Sequence, residues 1–339
     1  MSQRRRAWIL AGLGSGLAVG AAALALAKTR QQRRALARRV PALTDRAISR
    51  LPVPAESTFL RVNGLRLHAV LAGPEDGPLA VLLHGFPECW YSWRHQIAAL
   101  GEAGYRVVAA DQRGYNLSDK PPGVASYQID HITADILGLI HAMGYEQATL
   151  VAHDWGGVAA WHFAMDYPQI VDRLVVMNAP HPVAFARELR NNRSQQLKSW
   201  YVAAFQLPWL PETLLALSPR ATTRLFFRRT AVRPGAFSDA DLEVMAAALA
   251  QPGAMPAMIH WYRAALRYPA ARRSQVIACP TLLIWAEDDV ALGLELTHGL
   301  ARWVPDLQIH TIPGCGHWVQ NEMPQEVNAQ LLAFLAETG

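Results

Sequence analysis

Six consecutive residues constrain this chain more than any others: Ala152-His153-Asp154-Trp155-Gly156-Gly157. Before them, Thr149 to Ala152 is short, apolar and partly β-branched, as a buried strand should be. After them, Gly156 to Met165 has helical composition and ends near Tyr167-Pro168, where proline stops a helix. Ala152 and Gly156 lie two positions either side of Asp154 and are small enough to let strand and helix approach closely. A strained strand–turn–helix of this kind holds one side chain up at the carboxyl edge of a sheet. The same residues also suit an ordinary turn with a capping Asp. A carboxylate at the tip, instead of a hydroxyl or thiol, points away from acyl transfer. It suits attack on an electrophilic sp³ carbon, giving an alkyl ester that water later cleaves.

Two further segments bear on the choice. Pro280-Thr-Leu-Leu-Ile-Trp reads as a buried strand with Ala286-Glu287-Asp288-Asp289 at its carboxyl end. Leu307 to Ile312 reads as the next strand, and the loop Pro313-Gly-Cys-Gly-His317-Trp318 follows it, ahead of a helix over 325–337. A lone His in a Gly-rich loop is usually only solvated. Here the order nucleophile, acid, histidine recurs at successive strand ends, which makes His317 a candidate general base oriented by a carboxylate. A third strand, Leu79 to Leu83, runs directly into His84-Gly85-Phe86-Pro87-Glu88. The backbone N–H groups of Phe86 and Trp155 are the candidate oxyanion donors, and Phe86–Pro87 is a candidate cis bond. His84 and His153 read as structural anchors of their loops.

Together these residues resemble the α/β-hydrolase-fold epoxide hydrolases. The carrying motifs are His84-Gly-Phe-Pro-Glu88 with Trp90-Tyr-Ser-Trp93, Asp111-Gln-Arg-Gly-Tyr-Asn-Leu-Ser-Asp-Lys-Pro121, His153-Asp-Trp-Gly-Gly157, Trp285-Ala-Glu-Asp-Asp289 and Gly316-His-Trp318, which span Phe59 to the C-terminus. Haloalkane dehalogenases share the Asp nucleophile and place Trp after it to bind halide; haloacid enzymes usually carry Arg there. The lid separates the two families. Epoxide hydrolases use two lid tyrosines to hold and protonate the epoxide oxygen. His260-Trp261-Tyr262-Arg263 looks like the second such motif, and Ser199-Trp200-Tyr201 with Phe205-Gln206 looks like the first. The resemblance therefore implies Asp154 as nucleophile, His317 as base, Asp289 as its orienting acid by register with Asp288 as fallback, and Tyr201 and Tyr262 as proton donors to a lipophilic epoxide, with a vicinal diol as product. Ala152 stands where the family commonly has Gly, and Asp288 where Lys is frequent. The alternatives are a dehalogenase with the same triad, and a membrane-tethered binding protein without turnover, which would have no reason to keep the whole triad.

The implied fold is α/β: a mostly parallel, doubly wound sheet with an inserted helical lid. The expected core is 55–180 and 278–339, because apolar strands alternate with helices there, opened by a hairpin turning at Asn63-Gly64. The alternation stops after Pro180-His-Pro182, so 181–277 is the expected lid. No metal-ligand spacing is present among the 12 histidines and 3 cysteines, and no cofactor is expected.

The net charge of +5 conceals a division. Residues 1–50 hold eleven Lys/Arg against one Asp, an excess of +10, and the remainder holds 21 against 26 Asp/Glu, or −5. The enzyme-like part is mildly acidic, which excludes a nucleic-acid footprint. At the N-terminus, Arg4-Arg5-Arg6 precedes an uncharged stretch from Ala7 to Ala27, long enough for about 30 Å of helix. Lys28, Arg30, Arg33, Arg34, Arg38 and Arg39 follow. Residues 1–50 are thus expected to be a transmembrane signal anchor with a basic juxtamembrane helix, the catalytic part facing the cytoplasm. Export after cleavage at Ala25-Leu26-Ala27 is the alternative. Gly12, Gly16 and Gly20 would line one helix face and suit a homodimer, or simply belong to an Ala/Gly-rich span. Pro41 to Pro54 reads as a linker.

Overall fold

The computed structural model describes residues 27–270 and 275–337. Eight strands form one sheet in the order β1-β2-β4-β3-β5-β6-β7-β8. They are β1 Ala55–Val62, β2 Leu65–Ala72, β3 Leu79–Leu83, β4 Arg106–Ala110, β5 Ala148–His153, β6 Val171–Met177, β7 Thr281–Ala286 and β8 Leu307–Ile312. β1 and β2 form an antiparallel hairpin turning at Asn63-Gly64, both left-handed at φ 49° and 77°. β2 meets β4 antiparallel, and every later pair is parallel.

The central strands are buried on both faces, which is why they read as continuous apolar runs. Successive residues nonetheless divide between two cores. Val81, Leu83, Leu150, Ala152, Leu174 and Leu283 face one side, against Ile136, Leu139 and Ile140 of α2 (Ile129–Ala142) and Trp161 and Phe163 of α3 (Trp155–Asp166). Ala80, Leu82, Val151, Val175, Leu282 and Ile284 face the other, against Ile97 and Leu100 of α1 (Arg94–Glu102) and Val327, Leu331 and Phe334 near the C-terminus. Burying leucine, isoleucine or phenylalanine side chains at this density contributes about 1.5–3 kcal/mol each.

Between β6 and β7 the described chain is helical, running from Pro182–Asn191 to Ala254–Arg267 with a single π-turn at Arg224–Arg228. This cap lies over the carboxyl ends of the strands. Buried Arg263 ties it together, donating twice to Glu212 at 2.9 Å and to the Phe205 carbonyl at 3.0 Å. It is tied to the core by Lys198 Nζ on the Asp289 carbonyl at 2.7 Å and by the Trp261 indole on the Arg113 carbonyl at 3.2 Å.

The N-terminus differs from expectation in one respect. Pro41–Pro54 is not a linker throughout: Val40–Ile48 is a helix that opens with proline in its first turn and buries Val40, Thr44 and Ala47. Those positions recur at helical spacing, so the segment has an apolar stripe to bury, and Val40 meets Ala246 and Ala247 of the cap. Residues 27–37 are also helical. Most of the expected transmembrane stretch, and Gly12, Gly16 and Gly20 with it, lies outside the described residues. No single helix among the described residues is long and apolar enough to cross a membrane.

The elbow depends on close approach. A Cβ on Gly156 would stand 2.0 Å from the Leu83 carbonyl oxygen, and one on Gly157 would stand 2.3 Å from the Ala179 Cβ. Gly156→Ala should therefore cost at least the about 1–3 kcal/mol typical of overpacking, lowering the melting temperature by about 2–4 °C per kcal/mol. Calorimetry on parent and variant checks this; an unchanged melting temperature would contradict it.

Candidate active site

Parallel pairing sets the strand ends level. Leu83 of β3 pairs with Ala152 of β5, so the loop after β3 and the turn after β5 emerge side by side. Asp154 occupies that turn at φ 48°, ψ −122°, a left-handed backbone that costs a non-glycine residue energy and that the surrounding packing must hold. It is not merely a cap: its side chain makes no capping bond to α3. Its Oδ1 instead accepts from the Phe86 N–H at 2.7 Å. Gly85 makes this contact attainable, because a Cβ there would fall 2.3 Å from the Asp154 Cβ. Trp155 opens α3, so its N–H has no acceptor within the helix and is free to act as a second donor beside the Phe86 N–H. The Phe86–Pro87 bond is cis.

His317 comes up from the loop after β8. Its Nε2 lies 3.7 Å from Asp154 Oδ2, and its Nδ1 lies 2.7 Å from Asp289 Oδ2. Asp289, not Asp288, meets the histidine: Asp289 is buried and Asp288 exposed. Burial alone would lower the His317 pKa. The Asp289 carboxylate, with smaller contributions from Asp154 and Glu88, more than reverses this and holds it up at about 9. Burial likewise works against the charge on Asp289, yet His317 and donors from Ala291 and Asn178 keep that carboxyl below its ordinary range.

Two supports were not anticipated from the sequence. Asn178, directly after β6 and left-handed at φ 40°, donates to Asp289 Oδ2 at 2.7 Å while its Oδ1 accepts from Ala286 N–H at 2.9 Å. Its position at a strand end beside β7 was the available signal. The second is a buried chain: Glu88 accepts from Gly85 N–H and meets His153 Nδ1, each at 2.8 Å, and His153 Nε2 meets the His317 carbonyl at 2.8 Å. Burial opposes charge on Glu88, but His153 and its other partners draw the carboxyl down to about 2. His84 is fully buried, with Nδ1 3.0 Å from the Gly85 carbonyl and Nε2 accepting from Gln112 N–H at 3.3 Å.

The cap closes the site with aromatic rings. Tyr262 stands edge-on to Trp155 at 4.8 Å, to Phe205 at 4.8 Å and to Phe86 at 5.3 Å between centroids, and Tyr201 stands 5.9 Å from Tyr262. Tyr262 is buried and Tyr201 partly exposed. Burial first, and then the charge of Asp154, pushes both phenols above their ordinary range. All five side chains expected in the site, Asp154, His317, Asp289, Tyr201 and Tyr262, are thus brought to one place. No group of three or more His, Cys, Asp or Glu able to hold a metal ion occurs among the described residues. The arrangement offers a carboxylate nucleophile, a charged-pair base, amide donors and two phenols in an apolar enclosure.

Comparison with known proteins points the same way. Residues 78–324 match the α/β hydrolase fold family. The chain is 42% identical over 277 residues to the AB hydrolase superfamily protein YfhM of Bacillus subtilis, covering 82% of this chain and 96% of that protein. It is 40% identical over 283 residues to epoxide hydrolase 3 of Mus musculus, covering 82% and 76%. Among solved structures, an epoxide hydrolase from Bacillus megaterium, determined with an inhibitor, superposes with a TM-score of 0.77 at 34% identity, covering 83% of this chain and 100% of that one. A variant of that enzyme holds its product, a naphthyloxy-propane-1,2-diol. The chain belongs to the α/β-hydrolase family, and relatives and structural neighbours within that family are epoxide hydrolases.

Proposed function

We propose that this chain hydrolyses lipophilic epoxides to vicinal diols through an alkyl ester on Asp154. The observation that carries the choice of bond is the pairing of Trp155 with Tyr262. In a dehalogenase the indole N–H after the nucleophile receives halide, whereas here the indole packs edge-on against a lid tyrosine, 4.8 Å between ring centroids. Two phenols under the influence of Asp154 suit an oxygen leaving group, which must be protonated as it departs.

The geometry also divides the work of the two Asp154 oxygens. Oδ1 is held by the Phe86 N–H, which leaves Oδ2 to attack the epoxide carbon from the face opposite the breaking C–O bond. The bonding pair moves to the ring oxygen, which takes a proton from Tyr201 or Tyr262. As the ester forms, the carboxylate charge disappears, and with it one cause of the raised phenol pKa values. The tyrosines are therefore poor acids before attack and better ones as it proceeds.

The same loss of charge acts on His317. Asp154 is one of the groups holding its pKa near 9, so esterification lowers it and the imidazolium gives up its proton, which restores the tyrosine. Neutral His317 then takes a proton from water as that water attacks the ester carbonyl. Phe86 and Trp155 N–H groups stabilise the oxyanion on Oδ1, each worth about 100–1000-fold in rate. Collapse of the intermediate returns the proton from His317 to the diol oxygen and leaves Asp154 as a carboxylic acid, whose remaining proton passes to His317 and restores the starting carboxylate and imidazolium. Asp289 orients the ring and stabilises its charged form. The aromatic walls at Phe86, Phe205, Trp155 and Tyr262 support a lipophilic substrate, as does the aromatic product bound by the Bacillus megaterium relative.

The finer reading of the N-terminus is that Ala7–Ala27 anchors the chain in a membrane, with the basic residues after it and the catalytic part on the cytoplasmic side. The glycines at 12, 16 and 20 support pairing of two such helices in a homodimer.

The purified chain, given an aryl epoxide and a matched haloalkane, should yield diol from the first and no halide from the second. Halide release without diol would overturn the reading in favour of a dehalogenase, and neither product would favour a binding protein. In rapid-quench experiments, Tyr262→Phe and Tyr201→Phe should each slow ester formation about 10–100-fold and the double variant about 10³-fold or more, the range for a general acid. A double variant that forms ester at the parental rate would rule the tyrosines out as donors.

A further inference from the structure

One surface of the cap has no role in this chemistry. In the segment 200–217 Tyr201 and Phe205 turn inward to meet Tyr262, while large apolar side chains face outward. Trp200 and Trp209 are each 70% exposed, and Leu207 and Leu214 at least half exposed. Leu210, Leu214 and Leu217 recur at helical spacing as an exposed stripe on the helix Leu210–Leu217, whose other side buries Pro211 and packs Leu215 on the core. Trp209 reaches its outward position with a left-handed backbone, φ 51° and ψ −21°, which an indole does not favour. The fold thus spends strain to expose an aromatic side chain that does nothing for the core. Large apolar side chains exposed together on one segment in this way mark an interaction site.

The N-terminus arrives at the same place. Helical residues 27–37 lie along the helix Leu210–Leu217, with Thr29, Arg30 and Arg33 facing Thr213, Ala216 and Leu217 across a cleft of about 310 Å³. The uncharged stretch that ends at Ala27 therefore joins the described chain beside the leucine stripe. Lys28, Arg30, Arg34 and Arg38 are exposed just after it. Trp at the level of the headgroups, leucine below and cations alongside is the pattern by which proteins seat on anionic bilayers.

We infer that this face of the cap, Trp200 to Leu217, docks on the surface of a lipid bilayer, so that the lid of the enzyme rests on the membrane. A second copy of the chain would bury the apolar side chains equally well, but a cluster of exposed cations beside the patch suits anionic headgroups better than the same cations on a twin. Docking goes beyond the anchor reading and rests on it in one respect, that Ala7–Ala27 brings the chain to a bilayer. An epoxide dissolved in lipid would then reach the cap without crossing bulk water.

The test uses the full chain in vesicles of phosphatidylcholine and phosphatidylglycerol. Leu207→Cys, Leu214→Cys and, as a control in the loop before β3, Asp76→Cys are each labelled with an environment-sensitive fluorophore; Cys89, Cys279 and Cys315 are buried and do not compete. Flotation reads the anchor, and quenching by nitroxide-bearing lipid reads the cap. The inference expects co-flotation, loss of most emission at positions 207 and 214, and little loss at 76. Co-flotation without quenching at 207 and 214 would leave the anchor standing and overturn docking. A chain that does not float would overturn both. An emission shift that lipid-borne nitroxide does not quench would assign the patch to a second copy or to the chain's own N-terminus, and would also overturn the inference.

Discussion

Everything in this site is arranged around one negative charge. Asp154 projects from a left-handed turn into an aromatic enclosure, with one oxygen held by the Phe86 N–H and the other facing His317. Its charge helps to keep His317 protonated and the two tyrosines un-ionised. Removing that charge by esterification moves each of them toward the state the next step requires. In the proposed mechanism one carboxylate thus acts as nucleophile and, by its disappearance, as the signal that reverses the acid–base character of its neighbours.

Holding such a group in place is a packing problem. The elbow exists because Gly156 lies against the Leu83 carbonyl, Gly157 against Ala179, and Gly85 against Asp154 itself. These are backbone and Cβ contacts across three strands, and no polar network would replace them. Beneath the turn, the Glu88–His153 pair joins the oxyanion loop to the carbonyl of His317, and Asn178 joins β6 to Asp289. Each catalytic loop is therefore tied to another by buried hydrogen bonds whose loss would leave an unpaired polar group, a penalty of about 1–3 kcal/mol.

Much of this was legible in the sequence. Strands buried on both faces write themselves as unbroken apolar runs, so β3, β5 and β7 stand out, and the residues that follow them are the residues that meet in space. The Asp288–Asp289 choice was harder, since both stand at one strand end, and burial decides for Asp289. Asn178 and the Glu88–His153 pair were not anticipated because an amide or a carboxylate in a loop has no periodicity to betray it; its function lies in a partner 65 to 111 residues away. The helix Val40–Ile48 falls largely within Pro41–Pro54, which reads as a linker because the helix's stripe is short and its apolar partners belong to the cap, far along the chain. Trp209 carries no mark in the sequence of the left-handed backbone that turns it outward.

The central claim is that Asp154 forms a covalent ester that only His317 can direct water to cleave. His317→Gln removes the base and leaves the nucleophile, the amide donors and the lid in place, so alkylation should proceed and hydrolysis stall. Intact-mass spectrometry of this variant after exposure to an aryl epoxide should show one added substrate mass, located to Asp154 by peptide mapping. An unmodified protein, with a substrate that the parent enzyme turns over, would contradict the covalent mechanism.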